Sequence, residues 1–371
     1  MPERRPLPVY PPRRPGDGGL AGRGASANPR NRFERLSFAW ESEQTGEAGP
    51  APTTSFFRDS SRSILSWNDS PDVGFDVAVN PYRGCEHGCI YCYARPFHEY
   101  LGWSAGLDFE SKILVKEDAP ELLRQALMTP RWQPRVVALS GVTDPYQPVE
   151  ARLGITRRCL EILAEFRNPV SIVTKSHLVT RDADILAQMA GYDAAVVSVS
   201  ITTLDRTLQR VMEPRAATPE RRLDAIGELT AAGVPVRVLA APVIPGLTDH
   251  ELPAIIAAAA DAGAVDAGFI VLRLPHGLRD LFTNWLEERF PQRKEKVLSR
   301  IRAMRGGALY DSSFDTRGRG EGPFAAQIRD LFHAVMRKAG LPTRTLETSI
   351  ASFRRPTPPG GQLGLFGEPG G

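Results

Sequence analysis

Three of the four cysteines in the 371-residue chain fall within eight residues, as Cys85-x3-Cys89-x2-Cys92. Thiolates are ligands for soft metals and for iron–sulfur clusters. Three of them in one short loop suit a [4Fe–4S] cubane, whose fourth iron is then left without a protein ligand and open to a small molecule. Gly84 and Gly88 allow backbone conformations and close approach that a side chain would forbid. The loop follows the alternating apolar residues Phe75, Val77 and Val79, so it is expected at the C-terminal end of a strand. The same residues also admit a structural zinc site with His87 as fourth ligand. Zinc ligands usually come in pairs from two separated elements, and here all four would share one turn. The chain beyond the loop discriminates between cluster and zinc: a series of β/α units argues for the cluster.

C-x3-C-x2-C with an aromatic, Tyr91, just before the last cysteine resembles the radical S-adenosylmethionine (radical SAM) signature. The flanking residues are similar to the branch labelled spore photoproduct lyase-like, or "DNA repair photolyase". The resemblance implies that SAM chelates the open iron through its amino and carboxylate groups. An electron from the cluster then cleaves SAM to methionine and a 5′-deoxyadenosyl radical, with Tyr91 near the adenine.

The elements needed to position such a loop are legible downstream. Strands are expected over 75–80, 135–140, 170–175, 194–201, 235–241 and 268–274, where β-branched and apolar residues run together. Amphipathic helices are expected between them, over 117–128, 155–166, 181–190, 218–232 and 249–262. Thr218-Pro219-Glu220 places a capping Thr before a Pro at the first helical position. Thr248-Asp249-His250-Glu251 reads as a capping box. The fold class is therefore α/β with a parallel sheet, and six such units resemble the partial (β/α)6 TIM-type barrel of the radical SAM family. Chemistry in such barrels collects at the C-terminal ends of the strands.

That rule selects candidate SAM contacts. Many family members carry a Gly-Gly-Glu segment after the second strand to hold the SAM amino group. This chain instead has Ser140-Gly141-Val142-Thr143-Asp144, so Thr143 or Asp144 is expected to accept the ammonium. Lys175 ends the third strand and is one of only six lysines. Ser198 and Ser200 share one face of the fourth strand by its period of two. A lysine plus a hydroxyl suits the SAM carboxylate, although small residues packed inside the barrel would look the same. Glu213 and Arg215 come next, in a region where the family places groups for the ribose or carboxylate; a plain surface ion pair is the competing reading. Val243-Ile244-Pro245-Gly246 partly matches the family's G-x-I-x-G-x-x-[DE] stretch, which implies that backbone at Ile244 flanks the adenine. Cys159 lies on the apolar stripe Ile155, Cys159, Ile162, Leu163, Phe166 and is expected to pack rather than react. No other cysteine is left to donate hydrogen as in the photoproduct lyases. Tyr93, Tyr146 and His98 are alternatives that nothing singles out.

The remaining stretches set the domain plan. Residues 1–62 read as a disordered basic arm: positions 1–40 hold eight Arg against three acids. There Gly22 to Ala25 and Asn28 to Phe33 could meet nucleic acid phosphates, with Phe33 and Trp40 free to stack. Residues 63–275 are the barrel with its cluster loop, 276–345 a helical C-terminal extension, and 346–371 a disordered tail. Gln362-Leu363-Gly364-Leu365-Phe366 in that tail is similar to the pentapeptide by which bacterial polymerases and repair proteins bind the DNA sliding clamp. A net charge of +3 implies no strong bulk attraction to any polyanion. No stretch reads as a membrane span or signal peptide, and clustered cysteines argue for a reducing, cytoplasmic compartment. The expected function is a radical SAM enzyme acting on nucleic acid, as in DNA repair, with a [4Fe–4S] cluster, SAM and a reductant protein. The rivals are modification of RNA or protein, and a metal-stabilised adaptor without catalysis.

Overall fold

The structure is a computed structural model that describes residues 22–34, 53–342 and 346–356. Among these, ten strands occur: β1 (Ser55–Arg58), β2 (Leu65–Trp67), β3 (Val77–Val79), β4 (Tyr82–Arg83), β5 (Lys112–Val115), β6 (Val137–Leu139), β7 (Val170–Thr174), β8 (Ala195–Ser200), β9 (Val236–Val243) and β10 (Asp266–Val271). The main sheet has the order β10-β9-β8-β7-β6-β3-β2. From β3 through β10 neighbouring strands of this sheet pair parallel in chain order, and β2 closes the edge antiparallel to β3. Sequential parallel neighbours joined by helices are the winding of a partial barrel, as the sequence patterns imply. A small sheet, β1-β5-β4, stands beside the cluster loop.

The strands form where the sequence buries both faces. All six residues of β8 are buried, and three of them are valine. The core lies between this sheet and the outer helices, where Val77, Val137 and Ile172 meet Leu160, Leu163 and Phe166 of the helix Ile155–Phe166. Cys159 is fully buried in the same core, as its stripe implies, and burial pushes its thiol up. Thr218 caps its helix as expected, accepting from the Arg221 N–H. The capping box at Thr248 does not form. Thr248 Oγ1 accepts instead from Ile244 N at 2.9 Å, and Glu251 accepts from Leu204 N and Thr203 Oγ1, so the α-helix starts later, at Leu252.

Three parts of the expected domain plan are corrected. Residues 22–34 are a strap folded against the cluster loop, not a disordered arm: Gly24 N and Ala25 N donate to Glu110 at 2.9 and 2.8 Å. Asn28 exchanges hydrogen bonds with Asp108, and Asn31 Nδ2 donates to the carbonyls of Glu99 and Trp103. The strap's polar groups therefore face protein, not phosphate, and residues 55–58 pair with β5. Residues 346–356 are likewise packed: Arg354 N donates to Phe166 O and Phe353 lies against the Phe166 ring. The boundary at 275 is no break in packing either. Phe282 and Trp285 of the helix Leu278–Arg289 pack with Cys89 and Tyr91 of the cluster loop, and Phe332 of the helix Gly322–Lys338 packs on Phe269 of β10. Trp40 and the Gln362–Phe366 motif lie outside the described residues. No helix among the described residues is long and apolar enough to cross a membrane.

Candidate active site at the barrel mouth

The cysteine loop leaves β3 and is shaped from beneath by a buried ion pair. Arg95 and Glu110, both fully buried, meet at 2.9 Å. Arg95 also donates to the carbonyls of Gly88, Cys89, Ala105 and Gly106 at 2.8–3.2 Å. A guanidinium is suited to this because its rigid fork reaches several acceptors at once. Gly88 takes φ of +67°, and a Cβ there would collide with the Glu110 carboxylate. Thr143 Oγ1 donates to Gly84 O at 2.6 Å, and Gln147 bridges Thr143, Gly84 and the Glu86 N–H. The loop is thus held at both ends while its thiols stay free of disulfides.

Burial pushes all three thiols above their ordinary values. Asp144 and then the neighbouring cysteines add to the rise at Cys85, so the three sulfurs feel one another. Metal coordination displaces such protons. Yet no group of three or more His, Cys, Asp or Glu among the described residues converges on one ion position. His87, the fourth ligand of the zinc reading, points its Nδ1 at Asp144 Oδ2, 3.3 Å away. Thiols that neighbour one another without meeting at a point suit a cluster, in which each binds a separate iron.

A second group of side chains stands beside the loop. Lys175, at the end of β7, donates from Nζ to Ser200 Oγ (2.8 Å), Thr202 Oγ1 (3.0 Å) and Ala241 O (3.0 Å). It lies 3.3 Å from Glu213 Oε1 and 5.6 Å from the Tyr91 ring centroid. Burial, with the Arg222 charge behind it, pushes the ammonium down to about 7. Glu213 is fully buried; it accepts from the Tyr91 hydroxyl and pairs with Arg222. Tyr91 Oη is also 3.0 Å from Thr202 Oγ1. Tyr91, one residue before Cys92, thereby ties the cysteine loop to the lysine.

The expected residues therefore divide. Lys175, Ser200, Glu213 and Tyr91 come together. Ser198 is buried one pleat deeper and is not a partner of Lys175. Thr143 spends its hydroxyl on Gly84 rather than facing a ligand ammonium. Asp144 is similarly committed: it accepts from Tyr146 N, Thr174 Oγ1 and Lys175 N, each at 2.8 Å. Burial raises its carboxyl, but His87 and these donors more than offset that and leave it below the usual carboxylate range. Arg215 braces the loop from outside, through Glu86 at 3.3 Å and Thr54. The Ile244 N–H and carbonyl are both spent on its own turn, so only its buried side chain is left to flank a ligand.

Two members of the group have no counterpart among the residues expected from the sequence. Thr202 continues the period-two row of Ser198 and Ser200 past the strand end. Arg222 shares a helix face with Ala225, Ile226 and Leu229, all buried, and a charge on an apolar face signals a buried partner.

A cleft of about 510 Å³ opens beside the loop. It reaches Gly84 and Tyr93, which flank Cys85 and Cys92. Arg32, Arg83, Lys116, Arg273 and Arg317 line it, and no acidic residue does.

The radical SAM superfamily profile matches residues 79–259. An uncharacterized protein of Mycobacterium tuberculosis is 38% identical over 232 residues, covering 62% of this chain and 67% of its own length. A radical SAM Nalpha-GlyT isomerase of Pseudomonas phage M6 is 26% identical over 202 residues, 54% of this chain and 40% of that protein. Among solved structures, spore photoproduct lyase complexed with dinucleoside spore photoproduct superposes with a TM-score of 0.50 at 16% identity, covering 76% of this chain and 79% of that one. That likeness concerns the fold. With the cysteine loop, the parallel strands and the profile match in agreement, the chain belongs to the radical SAM superfamily.

Proposed function

We propose that the protein holds a [4Fe–4S] cluster through Cys85, Cys89 and Cys92, binds SAM beside it, and acts by radical chemistry on nucleic acid, with DNA as the substrate. The observation that carries the reading is the Tyr91 link, which joins the three-thiol loop to Lys175, Ser200, Thr202 and Glu213 at one barrel mouth. When bound, the cluster and SAM supply reductive cleavage of SAM to methionine and a 5′-deoxyadenosyl radical that abstracts hydrogen. The chain's own residues bind and orient. Lys175 offers a positive charge to the SAM carboxylate, and the Ser200 and Thr202 hydroxyls can turn from Ala241 O to donate to it. Arg222 keeps Glu213 paired, so Glu213 holds both the lysine and the tyrosine in place. The apolar packing of Tyr91 and Cys89 against Phe282 and Trp285 keeps water from the inner side of the loop.

The nucleic-acid assignment is supported by a cleft with five cationic side chains and no acidic one, the sign expected for a phosphate backbone. The dinucleoside ligand of the similarly folded lyase agrees with it. A protein reductant and a sliding clamp met by Gln362–Phe366 complete the proposal. The test is anaerobic reconstitution with iron, sulfide, reductant and SAM, assayed for 5′-deoxyadenosine with and without DNA or RNA. Release should require each of the three cysteines and should rise with ultraviolet-damaged DNA. Release that no nucleic acid alters would overturn the substrate assignment while leaving the cofactor assignment standing.

A further inference from the structure

Large exposed aromatics gather at the cleft. Trp67 is 65% exposed, Phe97 50% and Tyr100 68%, and all three line it. Phe33, 55% exposed, stacks on Tyr100 with ring centroids 4.9 Å apart at 30°, and Tyr100 lies 6.3 Å from Phe97. Leaving such rings in water forgoes burial that would favour the fold. Single exposed apolar residues are ordinary on a protein surface, whereas several around one concavity mark a binding surface. The row Phe33-Tyr100-Phe97 is held by protein on one side only. The Arg32 guanidinium caps the Phe33 ring at 5.0 Å, and Arg135 caps Trp67 at 5.2 Å.

Charge decides what the rings receive. Several of the lining cations already have carboxylate partners: Arg32 has Glu99, Arg83 has Asp59 and Arg317 has Asp72. Arg273 differs. Its Nε is buried without a hydrogen-bond partner, and its guanidinium lies 5.2 Å over the ring of Tyr93, the residue after Cys92. A donor left unpaired at the inner end of an acid-free cleft calls for an acceptor from a ligand.

We infer that Trp67, Phe97 and Tyr100, backed by Phe33, form a stacking platform for unpaired bases of a nucleic acid strand, with Arg273 receiving a phosphate or base acceptor where the cleft meets the cluster loop. Stacking needs a free base face, which a duplex hides, and a base reaches a recessed reaction centre only when it leaves its stack. The platform thus selects single strands or extruded bases. This inference rests on the proposed action on nucleic acid and specifies how that substrate is held.

The experiment is fluorescence anisotropy of labelled oligothymidylate, and of a duplex of equal length, titrated with the full-length reconstituted protein at fixed salt. The single strand should bind more tightly than the duplex. Trp67→Ala and Tyr100→Ala should each weaken single-strand binding about five-fold to one hundred-fold, the loss of one stacked base, while Tyr100→Trp retains it. Arg273→Gln should flatten the dependence of affinity on salt. SAM affinity, measured in parallel, should be unchanged in these variants and reports that they are folded. Undiminished single-strand binding by a Trp67→Ala, Tyr100→Ala double variant would overturn the platform alone. Tighter binding of the duplex would overturn its selectivity for unpaired bases. No binding of either strand form by the unaltered protein would overturn the nucleic-acid reading itself.

Discussion

Lys175 Nζ and Glu213 Oε1 lie 3.3 Å apart inside the barrel mouth, and the carboxylate is fully buried. Arg222, also fully buried, holds the other oxygen of Glu213. Two cations therefore share one anion, and burial with the Arg222 charge pushes the lysine down. A ligand carboxylate would supply the second negative charge and restore the balance. Charge-assisted hydrogen bonds contribute about 1.5–3 kcal/mol, so Lys175→Ala should weaken SAM binding roughly ten-fold to one hundred-fold. Calorimetry on anaerobic protein measures this, and an unaltered dissociation constant would remove Lys175 from the site.

The cluster assignment has a direct elemental readout. Single Cys→Ala changes at Cys85, Cys89 or Cys92 should abolish the visible absorption of anaerobically prepared protein. Cys159→Ala, a change in the core away from the loop, should keep about four irons per chain, the content of a cubane. One zinc per chain and no iron in the unaltered protein would return the loop to the structural-metal reading.

The Arg95–Glu110 pair is predicted to matter for the loop more than for the barrel. Removing one partner of a buried pair costs about 3–5 kcal/mol because the other charge is left unpaired. Arg95→Leu strands Glu110 and releases the carbonyls of Gly88 and Cys89. The unfolding free energy should fall by that amount, and iron should be lost faster in air than from the unaltered protein. Equal iron retention would show that the cysteines hold their geometry without the guanidinium.

The sliding-clamp proposal is tested with a peptide of residues 357–371. Leu365 and Phe366 are adjacent apolar residues in a Pro- and Gly-rich segment, and each contributes about 1.5–3 kcal/mol if fully buried in a partner's pocket. Ordering so short a segment offsets part of this, so micromolar affinity is expected. A Leu365→Ala, Phe366→Ala peptide should not bind. An intact peptide that ignores the clamp at high micromolar concentration rejects this partner.

What the sequence made legible depended on distance along the chain. The cysteine loop declared itself because its ligands are local. Lys175 and Ser200 could be paired because strand ends and a period of two place them on the same side of the sheet. Thr143 and Asp144 sit at an equally suggestive strand end, but they are consumed in holding the loop and the next strand. The strap over 22–34 was hidden because its partners, Asp108 and Glu110, are 80 or more residues away. Its polar composition is the same whether its hydrogen bonds go to water or to protein. Arg222 was missed by attending to strand ends alone, although its place on an apolar helix face was readable.

The last prediction concerns acid stability. His98 is buried between Trp103 and Phe109, with ring centroids 5.1 and 5.6 Å away, and its Nε2 has no hydrogen-bond partner. Burial pushes its pKa from 6.5 down to about 3. Between these values the unfolded chain binds a proton that the folded protein refuses. The contribution is therefore fully favourable above pH 6.5 and is lost as the pH falls toward 3, at about 1.4 kcal/mol per pH unit. His98→Leu keeps an apolar side chain of similar size and removes the titration. Its unfolding free energy, from denaturant melts between about pH 6 and pH 4, should fall less steeply than that of the unaltered protein by about that slope. Because the His98 ring also abuts Gly84, just before Cys85, protonation at this position should loosen the cysteine loop. Iron release should accelerate over the same pH range in the unaltered protein and not in the variant. Parallel pH slopes for the two proteins would assign the acid sensitivity to the carboxylates instead.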